Sequence, residues 1–199
     1  MTSTPEIRIT AEPQARPEQC LFRFDRILFP GTVYLSDPAW AEQNAPFVHA
    51  LFQVGGVRGI QIRQSEALVT LAEKPQDWRE PARALGAAAR AALSEVGDQE
   101  ILSREALGRL GGHDAFRAKV QDVIDTRLNP GLASHGGFVE IVDSVGKDLY
   151  LNMGGGCQGC SSAAATMTQG VEVAIRDAVP EVENIYDATN HSAGANPYM

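Results

Sequence analysis

The feature that most constrains this chain is a glycine-rich segment with two cysteines, Gly154 to Cys160, between a predicted strand and a predicted helix. Cys157 and Cys160 are three positions apart, so a turn brings their sulfurs to one side, where they can share a metal or form a disulfide. Two thiolates supply half of a tetrahedral zinc site, or half of a four-cysteine iron–sulfur site. The remaining ligands must come from elsewhere, so the motif indicates an assembly.

The residues around the two cysteines favour a bulky anionic ligand. Cys160 is predicted to lie at or just before the first turn of the following helix, where free N–H groups and the helix dipole stabilise a thiolate. Four glycines of the segment let main-chain N–H groups approach such a ligand, and they are Gly154, Gly155, Gly156 and Gly159. A cluster of iron and sulfide needs this clearance more than a single zinc ion does.

Three interpretations of the cysteine pair compete. A dithiol–disulfide oxidoreductase shares the strand–CxxC–helix order, but no aromatic residue precedes Cys157, and too few residues follow Cys160 to complete a thioredoxin-like fold. A zinc site within one chain needs two more ligands, and the candidates Cys20, His135 and His191 have no zinc-finger spacing. A cluster shared by two copies of the chain completes a four-iron, four-sulfide ([4Fe-4S]) ligand set with no further residue. The residues favour the shared cluster and leave the other two interpretations open.

Composition limits the class of protein. The 199 residues are 44% hydrophobic, enough for one large domain or two small ones, and the net charge of −8 argues against nucleic-acid binding. The chain has no apolar run of about 18 residues, so no membrane span is predicted. Met1 to Pro17 is polar, which predicts no secretory signal. Three cysteines, an odd number, indicate a reducing, cytoplasmic setting rather than a disulfide framework.

The pattern of the chain predicts an α+β fold of two small sandwich-like modules joined by a linker. The predicted parts are a flexible N-terminal arm (1–18), a first α+β domain (19–95), a linker (96–112), a cysteine-containing domain (113–190) and a C-terminal tail (191–199). The first domain is predicted to contain strands at Leu21–Phe24, Thr32–Leu35, Gly59–Arg63 and Ala67–Ala72, and helices at Pro46–Val54 and Asp77–Ser94.

The second domain is predicted as a helix, a hairpin, a second helix and a last strand. The helix runs over Asp114–Leu128 and is stopped by Asn129-Pro130-Gly131. The other elements are a strand at Phe138–Val142, a strand containing Leu149, Leu151 and Met153, a helix at Ser161–Val179 and a strand at Val182–Tyr186. This arrangement is a short sheet packed by two helices.

Several sequence runs resemble a known domain. Residues 128–140, 154–161, 170–172 and 180–182 are similar to the Nfu domain, the C-terminal module of NifU-like proteins, over about residues 114–190. The His135-Gly136-Gly137 run and the closing residues 187–191 and 196–198 are similar to the bacterial NfuA type. Residues 45–57 instead resemble the N-terminal domain of mitochondrial-type Nfu proteins, although the opening Pro-Asn-Pro motif of that family is absent.

This resemblance implies an iron–sulfur cluster carrier or scaffold. A homodimer would hold one [4Fe-4S] cluster through Cys157 and Cys160 of both chains, receive it from a donor scaffold and pass it to apo iron–sulfur proteins. No general base, nucleophile or nucleotide-binding loop is apparent in the sequence, so we expect no enzymatic activity. The alternatives are a dithiol–disulfide redox protein using the same pair and a zinc-stabilised interaction module.

Four other residues have simpler interpretations. Cys20 is predicted to pack as a small hydrophobic side chain at the start of a strand, and Trp40 and Trp78 are predicted to be packing residues. His135 is predicted to be a loop residue that bonds a backbone carbonyl, with a contact to the cluster region as the second possibility.

Overall fold

The computed structural model describes residues 7–97, 100–134, 136–155 and 161–188. Its contacts divide the chain into two compact units, Met1–Asp114 and Ala115–Met199. Both units combine helices with a sheet, so the predicted α+β class is confirmed. Among the described residues, no helix combines the length and apolar content that crossing a membrane requires.

The N-terminal unit is built on a five-stranded antiparallel sheet with the strand order β1-β2-β5-β4-β3. The strands are β1 (Ile9–Pro13), β2 (Gln19–Phe24), β3 (Phe29–Leu35), β4 (Val57–Gln64) and β5 (Glu66–Leu71). The helices are α1 (Pro38–Asn44), α2 (Pro46–Phe52), α3 (Arg79–Val96) and α4 (Arg104–Leu107), and α5 (Gly112–Val123) spans the boundary between the units.

Apolar side chains hold the helices of this unit to its sheet. Leu35, Phe47, Ile60 and Ile62 are fully buried. The face of α3 that meets the core carries Leu85, Ala89 and Ala92, which are all buried. Burial of this kind contributes about 25 cal/mol for each Å² of apolar surface removed from water, and it is the main stabilisation of the unit.

Two expectations about this unit are corrected. The predicted flexible arm contains β1, which pairs antiparallel with β2 and follows the buried side chain of Ile7. The pairing fixes this segment although nearly all of its own side chains are exposed. In the predicted linker, Ile101, Leu102 and Ala106 are buried in the core of the unit, because this stretch is apolar enough to pack.

The C-terminal unit is built on a three-stranded sheet with the order β6-β7-β8. β6 (Gly137–Val145) and β7 (Asp148–Gly155) form the predicted hairpin, and β8 (Ile185–Asp187) runs parallel to β7. Gly146 has a φ of +60° in the tight turn, a conformation that favours glycine. The core lies between this sheet, α5 and α7 (Ser161–Ala178), and its fully buried side chains include Val120, Ile124, Leu149 and Ile175.

The sequence predicts that the first helix of this unit stops at Asn129, but the chain stays helical beyond it. A π-helical segment, Ile124–Leu128, continues α5 and leads into α6 (Asn129–Ala133). Pro130 lacks an N–H and its ring would crowd the carbonyl four residues earlier in a regular α-helix. The wider π turn relieves that conflict, so the chain stays helical past the proline.

Candidate functional site

The two cysteines of the motif, Cys157 and Cys160, lie outside the described residues, as does His135. The structure describes the elements on either side of them. β7 ends at Gly155 and α7 begins at Ser161, so the strand and the helix predicted to flank the cysteines are confirmed. The first helical residue directly follows Cys160 in the sequence, and the prediction that the helix dipole favours a thiolate there stands as a prediction.

The end of the hairpin that leads into the cysteine segment is closed by an aromatic ring. Phe138 is paired with Gly154, and Gly137 with Gly155. A Cβ atom added to Gly154 would lie 2.2 Å from Cζ of Phe138, so a larger residue would displace the ring. The ring of Phe138 thus gives this glycine a packing role, and the expectation that Gly154 makes room for a bound ligand stays a prediction.

Asn129 fastens the helical layer to the outer edge of β6. Its amide Nδ2 donates to the carbonyl of Val139 at 3.0 Å, and its Oδ1 accepts the N–H of Val139 at 2.8 Å. The side chain thus takes the place of a neighbouring strand at one residue of an edge strand. Val139 pairs with Met153 on β7, two residues before the strand ends at Gly155, so this contact supports the frame of the cysteine segment.

Arg117 makes a second polar attachment between helix and sheet. Its guanidinium is buried, with 3% of the residue exposed, and Nη1 donates to Oγ of Ser144 at 2.9 Å while Nη2 reaches the carbonyl of Ile141 at 3.4 Å. Buried polar groups need such partners. Neither the buried guanidinium of Arg117 nor the backbone contacts of Asn129 were predicted from the sequence. An arginine on the apolar side of a predicted helix was the available signal for the first of them.

Cys20 is not a plausible ligand. It is fully buried in the core of the N-terminal unit, and burial raises the pKa of its thiol to about 11 from the ordinary 9.0. A metal ligand must be a thiolate, and the same burial disfavours the charged form of this thiol. The prediction that Cys20 packs as a small hydrophobic side chain is confirmed, and the same holds for the packing roles of Trp40 and Trp78, each 9% exposed.

The described parts of the chain hold no group of three or more histidine, cysteine, aspartate or glutamate residues arranged to bind a metal ion. The metal or cluster site stays a prediction about Cys157 and Cys160, which lie between β7 and α7 in the sequence.

Comparison with known proteins identifies the region around this segment. Residues 120–186 match the NifU-like domain family. The chain is 50% identical over 82 residues to the Fe/S biogenesis protein NfuA of Ruthia magnifica subsp. Calyptogena magnifica, covering 41% of this chain and 43% of that protein. It is 45% identical over 109 residues to the Fe/S biogenesis protein NfuA of Vesicomyosocius okutanii subsp. Calyptogena okutanii, covering 53% of this chain and 57% of that protein.

The matches cover only part of each protein. The chain spans about half the length of the curated relatives it matches. A solution NMR structure of a NifU-like protein from Saccharomyces cerevisiae aligns with 52% of this chain and covers 91% of the chain in that structure. The TM-score is 0.43 and the sequence identity is 11%, values that do not establish a shared fold. The resemblance of residues 45–57 to mitochondrial-type Nfu proteins stays a prediction.

Proposed function

We propose that this chain, in which residues 120–186 are a NifU-like domain, takes part in iron–sulfur cluster biogenesis as a cluster carrier. The observation that carries the proposal is the family match itself, since the matched range encloses both Cys157 and Cys160. The relatives that share this region are named Fe/S biogenesis proteins. In the proposal, two copies of the chain hold one 4Fe–4S cluster, and each copy supplies its two thiolates.

Transfer then follows from ligand exchange at iron. A thiolate of the client protein binds an iron atom and a cysteine thiolate of the carrier leaves, so one anionic sulfur replaces another and no electron moves. Four such exchanges release the cluster to an apo iron–sulfur protein, and the same steps in reverse load the carrier from a donor scaffold. The carrier needs no general base or nucleophile for this exchange, so we propose that it is not an enzyme.

The flanking structure supports a carrier with a fixed frame and a separate ligand segment. Asn129 fastens β6 to the helical layer, while the sulfur ligands lie between β7 and α7 in the sequence. A cluster held in this way depends on four sulfur ligands and not on a closed protein cavity, which suits cargo that must leave.

The test compares three cysteine substitutions in the full chain. After anaerobic incubation with ferrous iron and sulfide, we expect about two irons and two sulfides per chain in the wild type, the half share of a four-iron cluster. Cys157→Ser and Cys160→Ser should lose this iron, whereas the matched control Cys20→Ala should keep it because the buried Cys20 thiol is no ligand.

Two results would overturn the carrier proposal. One is wild-type iron content in either motif variant. The other is a wild-type chain that takes up no iron: bound zinc would then favour the zinc-stabilised module, and a reversible disulfide between Cys157 and Cys160 would favour thiol redox chemistry.

A further inference from the structure

The C-terminal sheet packs one face on α5 and α7, and its other face carries large side chains. Val139, Ile141, Leu149 and Leu151 belong to the core face and are buried. Because side chains alternate along a strand, the residues between them belong to the opposite face. A register shift after Ile141 places Asp143 opposite Tyr150. We call this opposite surface the open face, and it consists of Phe138, Glu140, Asp143, Tyr150, Asn152 and Tyr186.

The open face exposes aromatic rings that the core of the unit does not use. Phe138 is 43% exposed and Tyr186 is 44% exposed, whereas Phe116 is buried in the core. Tyr150 and Tyr186 are stacked, with ring centroids 4.9 Å apart and an angle of 21° between the planes. Each ring therefore holds the other in place without a ligand. Large apolar side chains grouped on one exposed surface are typical of an interaction site.

Carboxylates lie among these rings. Oε1 of Glu140 accepts the amide Nδ2 of Asn152 at 2.8 Å, and a neutral amide leaves the negative charge of the carboxylate uncompensated. Glu140 lies diagonally across from Tyr150 on the neighbouring strand, a separation of about 7–8 Å between such positions. The only basic residue of the hairpin 137–155 is Lys147, which lies in its turn. The open face is therefore both aromatic and acidic.

Charge and area together indicate what covers the open face. From Ala115 onward the chain has ten acidic and five basic residues, so two copies that met through this face would oppose like charges. Three strands and about five residues along each give an area of about 14 Å by 17 Å. This is well below the roughly 800 Å² that each partner buries in a stable protein interface. A short basic segment of another protein fits both the charge and the size.

We propose that the open face binds a short, arginine-containing segment of a partner protein. A guanidinium packs on the tyrosine pair and bonds the carboxylate of Glu140, and an apolar side chain of the segment packs on Phe138. Arginine suits this site better than lysine, because its planar group both stacks on aromatic rings and binds carboxylates. Phe138 lies beside Gly154, four residues along β7 from Tyr150, so about 13 Å separates the two contacts. An extended segment of four to six residues spans that distance.

The test uses the full ¹⁵N-labelled chain without iron and an acetylated, amidated hexapeptide of alternating leucine and arginine. We expect saturable shifts of the Phe138, Glu140 and Tyr186 amide signals, complete at millimolar peptide or below. The indole signals of the two tryptophans, which lie in the N-terminal unit, are the internal control and should not move. A hexapeptide with lysine in place of arginine should bind at least about threefold more weakly, and one with glutamate should not bind.

Two substitutions test the two components of recognition. Glu140→Gln removes the charge and keeps an acceptor for Asn152, so we expect the arginine peptide to bind at least about threefold more weakly. Glu172→Gln makes the same charge change on α7 and should bind as the wild type does. Tyr186→Leu keeps an apolar side chain without a ring and should also weaken binding at least about threefold. Its control is Val173→Ala, because Val173 is an apolar residue on α7 that is 52% exposed.

The proposal is overturned if no saturable shift of the open-face signals occurs, if the lysine peptide binds equally well, or if Glu140→Gln leaves the affinity unchanged. Wild-type affinity in a folded Tyr186→Leu variant overturns it as well, and if that variant fails to fold, the Glu140→Gln comparison still decides.

Two further results would assign the open face to another occupant and overturn the proposal. Shifts of the Phe138 and Tyr150 signals on dilution of the chain without peptide would assign the face to a second copy. Shifts of the same signals on deletion of residues 189–199, with tighter peptide binding, would assign it to the end of this chain. None of these outcomes depends on whether the chain binds a cluster, so failure here is distinct from failure of the carrier proposal.

Discussion

The edge strands β1 and β6, one from each sheet, differ in what covers their outward backbone groups. β1, in the N-terminal unit, has no described strand on its outer side, and Arg90 Nε donates to the carbonyl of Ile7 just before it. β6, in the C-terminal unit, has its outer side covered by side chains, since Asn129 bonds both backbone groups of Val139 and Arg117 reaches the carbonyl of Ile141. A covered edge is fixed and protected from pairing, whereas an open edge is available to a partner. The comparison assigns to β6 a supporting role that β1 does not have.

The largest loss of stability should follow removal of the Asn129 side chain, which covers the outer edge of β6. Asn129→Ala leaves the N–H and the carbonyl of Val139 without their partner at a partly buried position, so we expect the free energy of unfolding of the C-terminal unit to fall by about 2–4 kcal/mol. Hydrogen exchange of the β6 and β7 amides would measure it. Tryptophan fluorescence would serve as the control, because both tryptophans lie in the N-terminal unit and should not report the change.

Asn152→Ala is the matched asparagine control. Asn152 donates to Oε1 of Glu140 at 2.8 Å, a contact between two side chains on the sheet rather than to an edge backbone. We expect a loss below about 1 kcal/mol. Equal losses in the two variants would contradict the supporting role assigned to Asn129.

The next largest loss of stability is expected at one of two glycines that lie under aromatic rings, one in each unit. A Cβ on Gly59 would lie 2.2 Å from the hydroxyl oxygen of Tyr34, and a Cβ on Gly154 equally close to the ring of Phe138. The ring of Tyr34 also packs edge-on against His113, with centroids 6.0 Å apart, whereas Phe138 is 43% exposed and can turn into solvent. We therefore expect Gly59→Ala to destabilise its unit by about 2 kcal/mol and Gly154→Ala by less than about 1 kcal/mol.

Urea denaturation followed by tryptophan fluorescence measures the first variant, and hydrogen exchange of β7 measures the second. In the double variant Phe138→Ala/Gly154→Ala the clash is absent, so adding Gly154→Ala to Phe138→Ala should cause no further loss. A larger loss in the double variant would mean that Gly154 is required for a reason other than the ring.

The smallest expected change is in the pH dependence of stability that the Cys20 thiol causes. Because burial raises the pKa of this thiol from 9.0 to about 11, the folded state holds a proton that the unfolded state releases between these values. The contribution of this group to stability is complete below pH 9.0 and is lost as the pH rises toward 11. Urea midpoints of the wild type should therefore fall more steeply over that range than those of Cys20→Ala. Parallel pH profiles would show that the thiol is not the group responsible.

The sequence predicts those elements whose side chains carry a pattern. The hairpin of β6 and β7 alternates between core and surface, α3 and α7 carry apolar faces, and all four elements occur close to their predicted bounds. β1 escapes prediction because four of its five side chains are exposed, so pairing with β2 rather than burial of its own residues defines it. α1 was not predicted, although its start is visible in the sequence: Asp37 followed by Pro38 is a strong helix start. In the structure Asp37 accepts the N–H of Ala39.

The surroundings of the candidate site were harder to predict. The role of Asn129 depends on the position of β6, which local sequence does not give, and the Asn129-Pro130 pair reads as a helix stop. Gly154 has an aromatic partner sixteen positions earlier, so its function is visible only once the hairpin register is known. The cysteine motif, by contrast, is visible in the residue types and their spacing alone, and its chemistry stays a prediction.

The most direct test of the central claim is the solution mass of the chain together with its iron content after anaerobic reconstitution. The carrier account predicts a brown species that absorbs at about 400 nm, has twice the 21.4 kDa mass of the chain and contains about four irons. The apo-chain need not be a dimer for this result. An iron-loaded monomer with a complete cluster, or a colourless chain that binds no iron, would contradict the account.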